Sequence, residues 1–176
     1  MAHVIEPAAT GRSKCRGCGA AIEQGTLRFG ERIANVFGAG EATLWFHLQC
    51  AAYKRPESLL VALPNEPTAQ IDAAKLRADA ERSLAHRRLP RIDGADVSPG
   101  ARARCRHCRE TIAKDEWRIP LVIFAEGAFH RRGFVHARCA RDYFEAPDAD
   151  VVERIRRFAT GLTERDVEAI RRALAP

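Results

Sequence analysis

Apolar side chains recur at odd positions in two short stretches of this chain: Leu27, Phe29 and Ile33, then Trp117, Ile119, Leu121 and Ile123. A period of two marks a strand with one buried face, so each stretch predicts a β-strand. A loop should follow, at 37–42 in the first case and 125–133 in the second. A short return strand then closes each hairpin, Leu44-Trp45-Phe46-His47 and Phe134-Val135-His136. The single aromatics of these strands read as packing residues. Elsewhere the pattern is helical. Residues 71–89 are rich in Ala, Arg, Leu and Glu, and Val167, Ile170 and Leu174 form one stripe behind Thr163-Glu164-Arg165-Asp166, which has the form of a helix N-terminus. Short helices are predicted to open at Cys50 and Cys139. The stretch from Arg91-Ile92-Asp93-Gly94 to Ser98-Pro99-Gly100 has linker chemistry.

These elements come in the same order twice. CRGCGAAIEQGTLRFG (15–30) lies over CRHCRETIAKDEWRIP (105–120), so that Arg16, Ile22 and Arg28 align with Arg106, Ile112 and Arg118. Self-similarity of this kind means one structural unit used twice. The expected organisation is a first module over 1–91 and a second over 92–176. Each is too small for a large apolar core and is expected to need a staple.

The cysteines supply that staple. Cys15-x2-Cys18 is followed by His47-x2-Cys50, and Cys105-x2-Cys108 by His136-x2-Cys139, which uses all six cysteines. Three thiolates and one imidazole are the ligand set of a four-coordinate structural zinc site. Two Zn2+ ions per chain are expected, and their binding energy becomes folding energy. The repeat pairs His136 with His47, leaving His107 and His130 as non-ligands. Disulfides are the competing use of cysteine. Residues 1–10 lack the apolar core of a secretory leader, and no stretch reaches membrane-spanning length, so a reducing intracellular setting is expected.

Charge adds less. The formal net charge is +6; each Cys3His site with its ion contributes −1, which leaves about +4 in the metal-loaded chain. Residues 1–90 hold 12 Lys/Arg against 9 Asp/Glu, and residues 91–176 hold 17 against 14. The surplus is shared evenly and permits a polyanionic partner without requiring one. No phosphate-cradling Gly loop, nucleophile elbow or HExxH occurs, and a site closed by four protein ligands offers no position to a substrate. No enzyme activity is expected.

The ligand spacings, C-x2-C-x28-H-x2-C and C-x2-C-x27-H-x2-C, with Gly11-Arg12-Ser13-Lys14-Cys15, Leu27-Arg28 and Trp45-Phe46-His47 around the first, resemble the poly(ADP-ribose) polymerase-type zinc finger. So does the closing stretch from Gly161-Leu162-Thr163 to Ala173-Leu174. The resemblance covers nearly the whole chain. It implies a small zinc-stabilised α+β fold: two tandem fingers, each a short antiparallel sheet with helices, without the catalytic domain of the namesake enzymes. It further implies recognition of DNA strand breaks (nicks, gaps or ends), at the nucleoid or in a nucleus, with no membrane partner. A repair ligase, polymerase or modifying enzyme would then act downstream. By position, Arg12 and Arg28 in the first module and Arg102 and Arg118 in the second would grip phosphate. Phe37 and Phe129 would be the rings that stack on an exposed base pair, with Ala42 and Arg131 at the second loop position. From the residues alone, the arginines read first as solvated charges, and the two phenylalanines read equally as hairpin core. A zinc-scaffold adaptor for protein partners is the alternative function; its usual modules carry further ligand pairs that this chain lacks.

Overall fold

The alternation at 27–33 does form a strand, and strands on both sides cover it. A computed structural model describes residues 2–35, 38–64 and 70–175. They divide into two compact units, Met1–Ala85 with Glu126–Ala128, and His86–Ala125 with Phe129–Pro176. No helix among the described residues is long and apolar enough to cross a membrane.

In the first unit, β1 (Val4–Pro7), β2 (Leu27–Ala34) and β3 (Glu41–His47) form an antiparallel sheet in that order. Ile5 pairs with Phe29, which pairs with Phe46; the next row joins Glu6, Arg28 and His47. Phe29 and Phe46 are fully buried. Helix α1 (Leu48–Lys54) starts at once after His47, and its Cys50, Ala51, Ala52 and Tyr53 are buried. Pro56 opens α2 (Pro56–Ala62), where the missing N–H costs nothing and the fixed φ suits a first turn. The predicted helix over 71–89 is shorter, α3 (Ala73–Ala85). Its start is capped by Asp72, whose Oδ1 accepts from Lys75 N at 3.0 Å. Ala73, Leu76, Ala80 and Ser83 form its buried stripe. Buried Glu31 ties β2 to α2: its carboxylate accepts from Arg55 Nη2 at 2.6 Å and from Ser58 Oγ at 2.6 Å.

The second unit repeats the plan with β4 (Asp96–Val97), β5 (Trp117–Ala125) and β6 (Ala128–His136), again in sheet order. The stretch that read as linker is part of this unit. Leu89–Arg91 is a 3-10 turn, Leu89 and Ile92 are fully buried in the core, and Asp96 pairs with Arg118. The predicted loop over 125–133 is also replaced. β5 and β6 run through it and meet in a two-residue turn, Glu126-Gly127, with both residues at positive φ (52° and 75°) as a type I′ hairpin requires. A 3-10 turn (Ala137–Cys139) leads into α4 (Ala140–Phe144), then α5 (Asp148–Phe158) and α6 (Glu164–Leu174). The predicted N-terminus at Thr163 is a capping box: Asp166 N donates to Thr163 Oγ1 at 3.2 Å, and Thr163 N to Asp166 Oδ2 at 2.8 Å. Ile119, Leu121, Val135, Phe144, Val151, Ile155 and Ile170 carry the core.

The duplication extends to backbone conformation. The turn after each CxxC is left-handed, at Gly19 (φ 76°) and Arg109 (φ 69°), and so is the turn before each long strand, at Gly25 (φ 81°) and Asp115 (φ 65°).

Candidate metal centres and nucleic-acid interface

Each sheet delivers a histidine at the end of a strand and a cysteine three residues later, opposite the CxxC turn. Cys15, Cys18, His47 and Cys50 place their ligand atoms within 4.8 Å of one another, and so do Cys105, Cys108, His136 and Cys139. His47 Nδ1 lies 3.5 Å from Cys18 Sγ and 3.9 Å from Cys50 Sγ. His136 Nδ1 lies 3.4 Å from Cys108 Sγ and 3.8 Å from Cys139 Sγ. Zn–S and Zn–N bonds of about 2.3 and 2.0 Å at the tetrahedral angle put such atoms about 3.5 Å apart. The sites fit zinc in donor set and in spacing. His107 and His130 are exposed and belong to neither cluster.

The surroundings suit thiolates. The backbone N–H groups of His47 and His136 donate to Cys15 Sγ and Cys105 Sγ, each at 3.4 Å. Nε2 of buried His136 faces Thr111 O at 3.3 Å and Glu116 at 3.5 Å. Those contacts fix the ring so that Nδ1 points at the metal, the usual outer-shell arrangement for a ligating histidine. Without a cation the thiols of one cluster resist ionising together. Burial raises the Cys105 thiol, but N–H groups of His136, Cys108 and His107 outweigh it and bring it down to about 7. Burial, with the neighbouring Cys105 charge, pushes Cys139 up to about 12. In the first cluster the hydrogen bond between Cys15 and Cys18 drives Cys18 far down and Cys15 up. A dication resolves this conflict by favouring every thiolate at once.

The arginines expected at a phosphate backbone divide into two pairs. Arg12 and Arg102 are exposed, each three residues before the first cysteine of its module. Arg28 is only 7% exposed. Its Nη1 donates to Ser13 Oγ at 2.6 Å, its Nη2 to Glu6 Oε1 at 2.7 Å, and its guanidinium lies 3.5 Å over the Trp45 ring. Arg118 is held in the same way: Nε meets Asp96 Oδ1 at 2.5 Å, and the guanidinium lies 3.9 Å over Phe134. Both arginines are therefore sandwiched between an aromatic ring and an acid on the edge strand. Trp45 and Phe134, read as core, are partly buried platforms for them. Glu6 and Asp96 went unnoticed in the sequence, although the offset that superposes Arg28 on Arg118 also superposes these two acids.

Phe37 lies outside the described residues. Phe129 stands on β6 beside the hairpin turn, partly buried, with its ring edge-on to Phe124 at 5.1 Å. His3 packs edge-on against Phe29 at 5.8 Å and accepts from Arg32 N at 3.2 Å.

Residues 6–84 match the model of the poly(ADP-ribose) polymerase and DNA-ligase Zn-finger region. Two curated relatives align over 138 residues. One is a poly(ADP-ribose) polymerase of Sarcophaga peregrina, 30% identical over 68% of this chain and 14% of its own length. The other is a poly(ADP-ribose) polymerase of Drosophila melanogaster, 27% identical over 70% of this chain and 14% of its own length. The chain thus spans about 14% of the length of the relatives it matches.

Proposed function

We propose, for a chain whose residues 6–84 belong to the poly(ADP-ribose) polymerase and DNA-ligase zinc-finger family, that it binds DNA interrupted by a strand break, without chemistry of its own. Each module holds phosphate on one side of the interruption, and apolar hairpin residues cover the base faces that a bend at the break exposes. The observation that carries this reading is the duplicated frame. Each copy offers an exposed arginine three residues before its first cysteine, Arg12 or Arg102, and a ring-backed arginine thirteen residues after it, Arg28 or Arg118.

Arginine suits the task because its planar fork meets two phosphate oxygens together. Arg12 and Arg102 meet the backbone directly. Arg28 and Arg118 already hold one carboxylate each, through Nη2 of the first and Nε of the second. The Glu6 and Asp96 side chains are 40% and 42% exposed, so an arriving phosphate displaces one anion with another. The Phe124–Phe129 pair supplies an apolar cap in the second module, as Phe37 would in the first. None of these groups forms a base-edge code, so sequence matters little.

Specificity for a break comes from stiffness. Continuous duplex resists the bend that exposes a base face, at a cost of about 1–6 kcal/mol, and a nick removes much of that cost. The test is affinity for nicked and intact duplexes of one sequence at one salt concentration. The nicked duplex should bind about tenfold tighter or better, which corresponds to ~1.4 kcal/mol. Equal affinities defeat the proposal. Affinity should also fall steeply as salt rises, because phosphate contacts release counterions.

A further inference from the structure

We infer that the second module carries a pocket for a phosphate monoester, built from Arg91, Arg106, Arg132 and Tyr143, and that it receives the terminal phosphate of a broken strand. The inference rests on the proposed function for its source of ligand, and on the following geometry for its site. A cavity of about 330 Å³ is lined by those four residues with Leu121 and Ile123, at the small end of the range for small-molecule sites, about 300–1,000 Å³. The lining holds three guanidinium groups, one phenol, two apolar side chains and no carboxylate. None of the three arginines forms an ion pair among the described residues. The nearby acid Glu145 is engaged by Arg88 at 3.2 Å instead.

Two of the cations are anchored by hydrogen bonds, and the third, Arg132, is exposed. Arg91 stands on the 3-10 turn beside buried Ile92, and its Nη1 reaches Tyr143 OH at 3.3 Å. Arg106 follows the zinc ligand Cys105 and lies flat on β6, its Nε donating to Arg132 O at 3.0 Å. That position exists because residue 133 is glycine. A Cβ there would sit 2.8 Å from Arg106 Nε, and the backbone is at φ 102°. With Nε committed to a carbonyl, the terminal nitrogens of Arg106 are left to the cavity. Leu121 and Ile123 make an apolar wall on which a sugar or base can rest.

The charge count selects the ligand class. Three converging cations exceed what a backbone diester with one negative charge requires, whereas a monoester near neutral pH carries close to two. Such a dianion presents three peripheral oxygens, enough to engage all three forks. A terminal phosphate on DNA and a free nucleoside monophosphate share this chemistry.

The test uses the zinc-loaded chain and one nicked duplex bearing either a 5′-phosphate or a 5′-hydroxyl at the nick, with thymidine 5′-monophosphate as the free probe. The phosphorylated nick should bind about tenfold tighter, the loss expected for one or two charge-assisted hydrogen bonds. Arg91→Ala and Arg132→Ala should each abolish the difference with zinc content and circular dichroism unchanged, while Arg165→Ala, an exposed charge on α6, should leave it intact. If phosphorylated and hydroxyl nicks bind alike, yet both exceed intact duplex, the pocket is overturned and the proposed function stands. If nicked and intact duplex bind alike, the proposed function fails and the monophosphate decides the pocket. Calorimetric binding that Arg132→Ala removes upholds it as a nucleotide site; no binding overturns it.

Discussion

Arg28 illustrates how much one residue's meaning depends on its neighbours. Its place thirteen residues after Cys15 was legible in the sequence, as was its counterpart Arg118. The ring beneath each and the acid beside each were not, because β1 has four residues and ends in Pro7, and β4 has only two. Such strands have no periodicity to detect; the partners arise only when the sheet forms. If Glu6 stands in for phosphate, removing its charge frees the fork. Glu6→Gln should tighten DNA binding roughly 1.5- to 5-fold at low salt, the worth of a partly exposed ion pair. Affinity measured by fluorescence anisotropy that stays level or falls would mark the pair as a purely structural clamp. Arg28→Ala should weaken binding and also destabilise the first module by about 1–3 kcal/mol, through lost charge-assisted hydrogen bonds.

Among the elements, the strands with one apolar face and the helix behind Thr163 were readable because their periods persist. The β5–β6 hairpin was not. Its turn is Glu126-Gly127 rather than Asn-Gly or Asp-Gly, and the outer half of β6, His130-Arg131-Arg132, carries no apolar alternation. Helix α5 did carry a signal in Val151, Ile155 and Phe158, all buried on one side; α2, seven residues long, carried almost none. Each sheet is joined to its helices by its own Cys3His cluster, so loss of one ligand should act on one module. Cys50→Ala should release one zinc and expose the amides of β1–β3 and α1–α3 to hydrogen exchange while β4–β6 and α4–α6 stay protected. Cys139→Ala should do the reverse. Joint loss of protection from either change would contradict the separate cores of the two units.

For the whole molecule, the repeat was the strongest thing in the sequence, and it extends from ligand spacing through sheet order to backbone dihedrals. Metal analysis of the folded chain should find two zinc ions. A strong chelator should unfold both modules, since the metal's binding energy is part of the folding energy of each. The sign follows from the thiols themselves. Zinc requires deprotonated sulfur, so acidification should release the metal and raising the pH should retain it. Folded, monodisperse protein with fewer than two zinc ions would contradict the role given to the clusters. What composition could not convey was where the surplus charge would gather; Arg91, Arg106 and Arg132 are far apart in the chain and meet only around one cavity.

The two left-handed turns of the second module hold Arg109 and Asp115 where the first holds glycine. That conformation sets about 1–2 kcal/mol against a side chain such as that of Arg109, and less against the short polar side chain of Asp115. The first copy avoids that strain, and the second carries it. An engineer seeking a hardier binder can copy the glycines of one half into the other, giving up one exposed cation, Arg109, and one exposed acid, Asp115, while every zinc ligand and ring stays where it stands.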